Sequence, residues 1–233
     1  MNKQKVKIDI VSDINCPWCY VGDYRLKKAM AEAAGNFEFE VGFKPFELNP
    51  NIPQEGMNRE EYFTRNYGPQ IIAQLGAMNK RLTDAGASEG IDFNFDKLTT
   101  VNNTFNGHRL IWLAGACGVQ QQVAEALFYS YFTEGNNMND TTLLTSIGIE
   151  SGIPAERLEG FFEGEEGTEA VLEMEKWAKD SGITGVPAFI INNKYLVSGA
   201  QPPEAFHQVF SQLTPAFEEL NQPGDSCDVN GSC

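Results

Sequence analysis

Asn15-Cys16-Pro17-Trp18-Cys19-Tyr20 is the stretch whose reading decides the fold. Two cysteines stand one helical turn apart, with a proline after the first. The residues before them, Ile8-Asp9-Ile10-Val11-Ser12-Asp13, read mostly as a strand, and Tyr20 to Ala34 reads as an amphipathic helix. A Cys-x-x-Cys at a strand-to-helix turn is read first as a redox-active dithiol. Proline suits the first turn of a helix, where its missing N–H would have had no partner. Cys16 is therefore expected at the N-cap, its sulfur facing the free N–H groups and the positive end of the helix dipole. Both favour thiolate, so Cys16 is the expected nucleophile of low pKa. Cys19, one turn deeper, is the expected resolving thiol. Pro17 and Trp18 tune the pair, and Trp18 is expected at the rim, against the substrate. The rival readings are half of a zinc site and a pair of structural thiols. A tetrahedral zinc site needs four ligands. The other cysteine pair, Cys227 and Cys233, has a wider spacing, and His108 and His207 stand alone. No metal is expected.

The 233 residues, 42% hydrophobic and 21% charged, suit one large globular domain or two small ones. A net charge of −15 disfavours nucleic acid and anionic membrane surfaces as partners. Met1 to Lys7 runs straight into a strand without the apolar stretch of a signal peptide. No apolar run approaches the length of a membrane span. The expected location is the cytoplasm, where a dithiol is more often catalytic or redox-sensing than a permanent staple.

Outward from the motif, Val6 to Val11 reads as a central strand. Gly35-Asn36 closes the first helix, and Phe37 to Phe43 alternates as a half-buried strand. Strand, helix and strand with a short return predict a parallel pair. After the turn-rich Asn49-Pro50-Asn51-Ile52-Pro53, residues 57 to 174 read as helices with no convincing strand. The predicted helices are 60–67, 69–85, 104–117, 120–133, 140–151 and 155–163. A helix over Glu169 to Asp180 follows. Ala188–Ile191 and Tyr195–Val197, joined by Asn192-Asn193-Lys194, read as a hairpin. Pro202-Pro203 opens a final helix to Leu220. The fold class is α/β, with the helical block inserted into a sheet whose two halves need each other to form a core.

Thr184-Gly185-Val186-Pro187-Ala188 is the second informative stretch. A proline opening a strand is a candidate cis peptide in a tight turn. A cis Val186–Pro187 bond would turn the Val186 N–H and C=O toward the dithiol, where an extended substrate could pair by β-augmentation. The alternative is a trans proline starting an edge strand.

Asp13-Ile14-Asn15-Cys16-Pro17-Trp18-Cys19-Tyr20, taken with Gly185-Val186-Pro187-Ala188-Phe189, resembles the thioredoxin-like DsbA family, and more narrowly its FrnE-like cytoplasmic branch. The resemblance covers most of the chain. Asn103 to Leu110 is similar to a segment of the helical insertion in that branch. The resemblance implies a thioredoxin fold with a helical domain inserted between the second strand and the cis-proline segment. It implies thiol–disulfide exchange with Cys16 as nucleophile, Cys19 as resolver and Pro187 as the cis-proline. Residues 1–50 and 169–222 would form the discontinuous thioredoxin-like domain, 51–168 the inserted helical domain, and 223–233 a flexible, cysteine-containing tail. One relative of the branch catalyses glutathione-dependent isomerisation and resembles a form with serine in place of Cys16. The presence of both cysteines points to redox work. No cofactor is expected beyond the redox-active disulfide, although glutathione could serve as co-substrate, its backbone pairing at Val186.

Three further residues or groups draw two readings each, and Cys117 draws one. His108 either orients a substrate or thiolate, or is a structural histidine in an apolar helix. Cys117 reads as a small core hydrophobe. Asp9 is either a buried carboxylate relaying a proton to Cys19 or an exposed strand-end residue. Cys227 and Cys233 are either a second redox pair that exchanges with the motif or an unpaired tail. Three functions follow. The first is a protein disulfide oxidoreductase or isomerase acting on protein or small-molecule disulfides and thiols. The second is a glutathione-dependent isomerase or transferase acting on a small molecule, and the third is a non-catalytic thiol sensor.

Overall fold

A computed structural model describes residues 3–213 of the chain. Cys227 and Cys233, and the end of the last predicted helix, lie outside the described residues. A four-stranded sheet has the order β2-β1-β5-β6, formed by β1 (Gln4–Ser12), β2 (Phe37–Pro45), β5 (Ala188–Ile191) and β6 (Tyr195–Ser198). From Ile8 to Ser12 every residue of β1 is buried, so the strand needs partners on both edges and layers on both faces. β2 runs parallel to it, from Gln4 opposite Phe37 to Ser12 opposite Pro45. β5 runs antiparallel on the other side, from Ile8 opposite Ile191 to Val11 opposite Ala188. The β5–β6 hairpin turns through Asn192 and Asn193 at φ of 50° and 53°. Asparagine tolerates that left-handed region because its short side chain can bond locally.

Helix α1 (Pro17–Ala33) makes the crossover between β1 and β2. Its buried face includes Tyr20, Val21, Leu26 and Ala29, and also Asp23, whose carboxylate pairs with Lys27 at 2.8 Å. Lys27 is bridged both to Asp23 and, at 2.7 Å, to Glu125. Six helices lie in the chain between β2 and α8 (Thr168–Asp180): α2 (Arg59–Tyr67), α3 (Ile71–Ala87), α4 (Phe105–Ala116), α5 (Gln120–Tyr129), α6 (Thr141–Glu150) and α7 (Ala155–Leu158). α2 and α6 start where Asn58 and Asp140 each accept two backbone N–H groups, the expected N-cap chemistry. α9 begins at Pro203 and is described to Leu213.

The expectation of no strand between residues 57 and 174 is corrected. β3 (Met57–Asn58) pairs antiparallel with β4 (Thr100–Val101). Two residues per strand carry no period, so only the tertiary meeting of distant segments makes them. α7 ends at Leu158, short of the predicted 163, because Glu159 leaves helical geometry at ψ of 114°. α5 ends at Tyr129, and Ser130–Glu134 continues as a π-helical turn closed by Gly135 at φ of 80°. Phe93 and Phe95 are not strand residues; their rings stack at 5.1 Å within the core.

One apolar core joins sheet and helices. It includes Ile8 and Ile10 of β1, Leu26 of α1, Leu110 of α4, Leu127 of α5 and Phe189 of β5. Among the described residues no helix is long and apolar enough to cross a membrane. α1 lies so close to the strand-opening proline that a Cβ on Gly22 would sit 3.0 Å from Phe189 Cζ and 3.1 Å from Pro187 Cγ. Both rings are themselves buried. Gly22→Ala is expected to destabilise the chain by about 1–3 kcal/mol, the usual effect of overpacking, measured as the urea midpoint. An unchanged midpoint would show that the two segments part freely.

Candidate active site

The motif begins where β1 breaks. Asp13 makes that break: its side chain accepts the Asn15 N–H at 3.2 Å and its carbonyl accepts the Cys16 N–H at 3.0 Å. Asp13 Oδ2 also accepts the Leu48 N–H at 2.8 Å, tying the turn to the chain beyond β2. Cys16 is the N-cap of α1 in extended conformation, with Pro17 at the first helical position, as the spacing predicts. Its sulfur, however, makes no capping hydrogen bond. The thiol donates instead to the Val186 carbonyl at 3.6 Å. This corrects the expectation of a sulfur seated over the helix N–H groups. A protonated thiol is a donor, and the nearby acceptor is a carbonyl.

The Val186–Pro187 peptide is cis, as its sequence context predicts. Val186 and Pro187 thus lie beside Cys16, about 170 residues away in the chain but in contact through Val186 O. Cys19 is behind them, 1% exposed against 6% for Cys16. Burial pushes the Cys19 thiol well above its ordinary pKa, and Cys16 pushes it further through its hydrogen bond and charge. The Asp13 backbone and the Ser12 hydroxyl pull weakly the other way. A thiol so placed stays protonated until its surroundings change. Trp18 is half-buried, with the Arg81 guanidinium 5.7 Å from its ring centroid.

The structure puts the remaining candidates elsewhere. Asp9 is buried in mid-strand and held by Lys7 at 3.3 Å and Lys44 at 3.7 Å. It is therefore not the exposed strand-end residue, and its carboxylate is taken up by the two lysines. His108 is 3% exposed, with Nε2 3.7 Å from Asp13 Oδ1 and no hydrogen-bond partner. It thus lies against the turn that carries the motif. Cys117 is half-buried beside the core at the C-cap of α4.

Besides Asp23 in α1, three buried acids escaped the sequence reading. Asp13, Glu47 and Glu175 gather with His108 beneath the motif. Glu175 Oε1 accepts the Glu47 N–H at 3.1 Å. Glu175 had a signal, since it falls at helical spacing with Val171 and Ala178, the buried residues of α8. Burial, then the neighbouring Glu175, raises the Glu47 carboxyl from its usual 4.5 to about 7. A carboxyl raised on folding binds its proton more tightly in the folded chain. Stability is therefore full below the unfolded value near 4.5 and is lost as pH rises through about 7. Glu47→Gln is expected to raise the urea midpoint at pH 8, with the gain shrinking toward pH 5. A gain independent of pH would place the effect on some other group.

Asn15 ties the motif to the segment before α4. Its Nδ2 donates to the Asn102 carbonyl at 2.6 Å, and its Oδ1 accepts the Asn102 N–H at 3.4 Å. Asn102 in turn accepts from Met138 N and Asn139 Nδ2. The position of Cys16 is therefore set from both sides, by the Val186 carbonyl and by this asparagine chain.

A model of the DsbA-like thioredoxin domain matches residues 7–211 of the chain. The chain is 31% identical to a probable DsbA oxidoreductase from Streptomyces coelicolor, over 97% of each chain, with a TM-score of 0.80. It shares its fold with a 2-hydroxychromene-2-carboxylate isomerase (18% identity, 93% of this chain and 100% of that one, TM-score 0.69). It also shares its fold with the cytosolic disulfide reductase DsbM of Pseudomonas aeruginosa, solved with GSH (19% identity, 89% and 98%, TM-score 0.58).

Proposed function

Because this chain belongs to the family of DsbA-like thioredoxin domains, which carries thiol–disulfide oxidoreductases, we propose that it exchanges disulfides through Cys16 and Cys19. The observation that carries the proposal is the pairing of Cys16, at the head of α1 and against the Val186 carbonyl, with a fully covered Cys19 behind it. Cys16, as thiolate, attacks one sulfur of a substrate disulfide. A mixed disulfide forms and the other sulfur leaves as thiolate. Cys16 then no longer carries charge, so one cause of the raised Cys19 pKa disappears. Cys19 gives up its proton and attacks Cys16 Sγ, and the second substrate thiolate leaves. One substrate disulfide is reduced to two thiolates, the two cysteines are oxidised, and the one proton given up by Cys19 is released or taken by a departing thiolate. The reverse sequence oxidises or isomerises substrates, and the direction follows from the potential of the pair against that of its compartment.

In this reading an extended substrate pairs with the Val186 edge beside Pro187. The DsbM structure contains glutathione, and glutathione is proposed here as a co-substrate of low mass. Residues 1–50 with 169–222 act as the thioredoxin-like domain and 51–168 as its insertion, in a cytoplasmic protein of the FrnE-like branch. The test is trapping. A Cys19→Ala chain should keep a mixed disulfide on Cys16 when incubated with oxidised insulin or glutathione disulfide, seen as an added mass on the Cys16 peptide. No adduct from either disulfide would sink the proposal. The glutathione-dependent isomerase reading gains only if adducts form with glutathione alone and the chain fails to reduce insulin.

A further inference from the structure

Beside the motif lies a cleft of about 270 Å³, between the start of α1 and the helices α2 and α3. Asn15, Pro17 and Trp18, the residues that bracket Cys16, form one wall. Aromatic rings from Tyr62, Phe63 and Tyr131 form much of the rest, and Tyr67 and Met78 line it while 54% and 45% exposed. In this apolar space stands one cation, Arg59.

Arg59 is short of partners. Among the described residues Arg25 and Arg157 are the arginines that pair with carboxylates, at 2.8 and 2.7 Å. The Arg59 guanidinium instead donates to Asn79 Oδ1 at 3.3 Å and lies 5.0 Å from the Phe63 ring centroid. Burial pulls its pKa down, and Tyr131 and the Asp96 carboxylate offset that only in part. The Arg81 guanidinium lies 5.7 Å from the Trp18 ring centroid. A chain with a net charge of −15 thus keeps a cation, Arg59, in an apolar cleft next to its dithiol.

We propose that this cleft binds the aromatic carboxylate end of a low-mass disulfide, with the rings taking up its aromatic part and Arg59 its carboxylate. The volume sits near the lower end of small-ligand pockets, enough for a substituted ring. Planar guanidinium and carboxylate match as a two-point pair, and low dielectric strengthens it. The proposal rests on the dithiol reading for its chemistry. With the carboxylate on Arg59, the disulfide extends past Trp18 toward Cys16. Cys16 thiolate attacks the nearer sulfur and forms a mixed aryl disulfide, and one arylthiolate leaves. Cys19 then attacks Cys16 and releases the second arylthiolate, so that two thiols are oxidised and one aryl disulfide is reduced.

Two measurements in 0.5 M NaCl, where the general field of the chain is screened, test this. The first is calorimetric binding of 1-naphthoate against its neutral amide, 1-naphthamide. The wild-type chain should prefer the carboxylate, Arg59→Gln should lose the preference, and Arg59→Lys should restore part of it. The second is the rate of the reduced chain with 5,5′-dithiobis(2-nitrobenzoate) divided by its rate with the uncharged 4,4′-dithiodipyridine. Arg59→Gln should lower that ratio about tenfold, the scale of one charged hydrogen bond. Equal binding of naphthoate and naphthamide, or a ratio unchanged by Arg59→Gln, overturns the proposal. If naphthoate is preferred but neither disulfide reacts with the wild-type chain, the anion site stands and the dithiol reading is what has failed.

Discussion

Cys16→Ser is expected to reduce insulin reduction to the uncatalysed background, while Cys19→Ser still forms a mixed disulfide but turns over poorly. The asymmetry follows from position. Cys16 heads a helix, keeps 6% of its surface exposed and bonds to the Val186 carbonyl edge. Cys19 is covered, and both its burial and Cys16 hold its proton in place. Brief alkylation of the reduced native chain at pH 7 should therefore modify Cys16 well before Cys19. Peptide mapping separates both from Cys117, Cys227 and Cys233. Labelling of Cys19 first, or insulin reduction by the Cys16→Ser chain, would reverse the assignment of roles.

Arg109→Ala is expected to destabilise the chain by about 3–5 kcal/mol, the scale of a buried charged network losing one member. Arg109 is 4% exposed on α4. Its Nη2 donates to the carbonyls of Phe161, Gly164 and Glu166, at 3.0, 2.6 and 2.9 Å. Its Nε donates to Glu166 O at 3.0 Å and its Nη1 to Asn106 Oδ1 at 2.9 Å, while the guanidinium lies 4.8 Å from the Phe161 ring centroid. The loop between α7 and α8 has no strand or helix to satisfy these carbonyls, so one side chain does it. Lysine lacks the planar fork, and Arg109→Lys should recover little of the loss. A thermal midpoint for Arg109→Ala within one or two degrees of wild type would show that water replaces the guanidinium.

Much of the site was legible because it is written locally. Pro17 after Cys16 announces a helix start, and Cys16 is the N-cap of α1. The run before Pro187 suggests a turn, and the bond is cis. The parallel pairing of β1 with β2 follows from strand, helix and strand in one short span. The errors and omissions share another cause. The Cys16 thiol bonds to Val186 because two segments about 170 residues apart meet, and no local rule places that carbonyl. Asp9 reads from the sequence either as a proton relay or as an exposed strand end, yet alternation along β1 puts it on the face of Lys7, and it is buried against Lys7 and Lys44.

By itself, then, the sequence determined the chemistry and the type of each long element. Thiols, proline and hydrophobic period act over a few residues, and their physics needs no distant partner. The tertiary structure alone decided what surrounds the dithiol. The asparagine chain from Asn15 to Asn102, the acids Asp13, Glu47 and Glu175 with His108, and the Arg59 cleft each join residues from several elements. Charge burial, pKa and binding depend on what is desolvated against what, and that is a property of packing rather than of order along the chain.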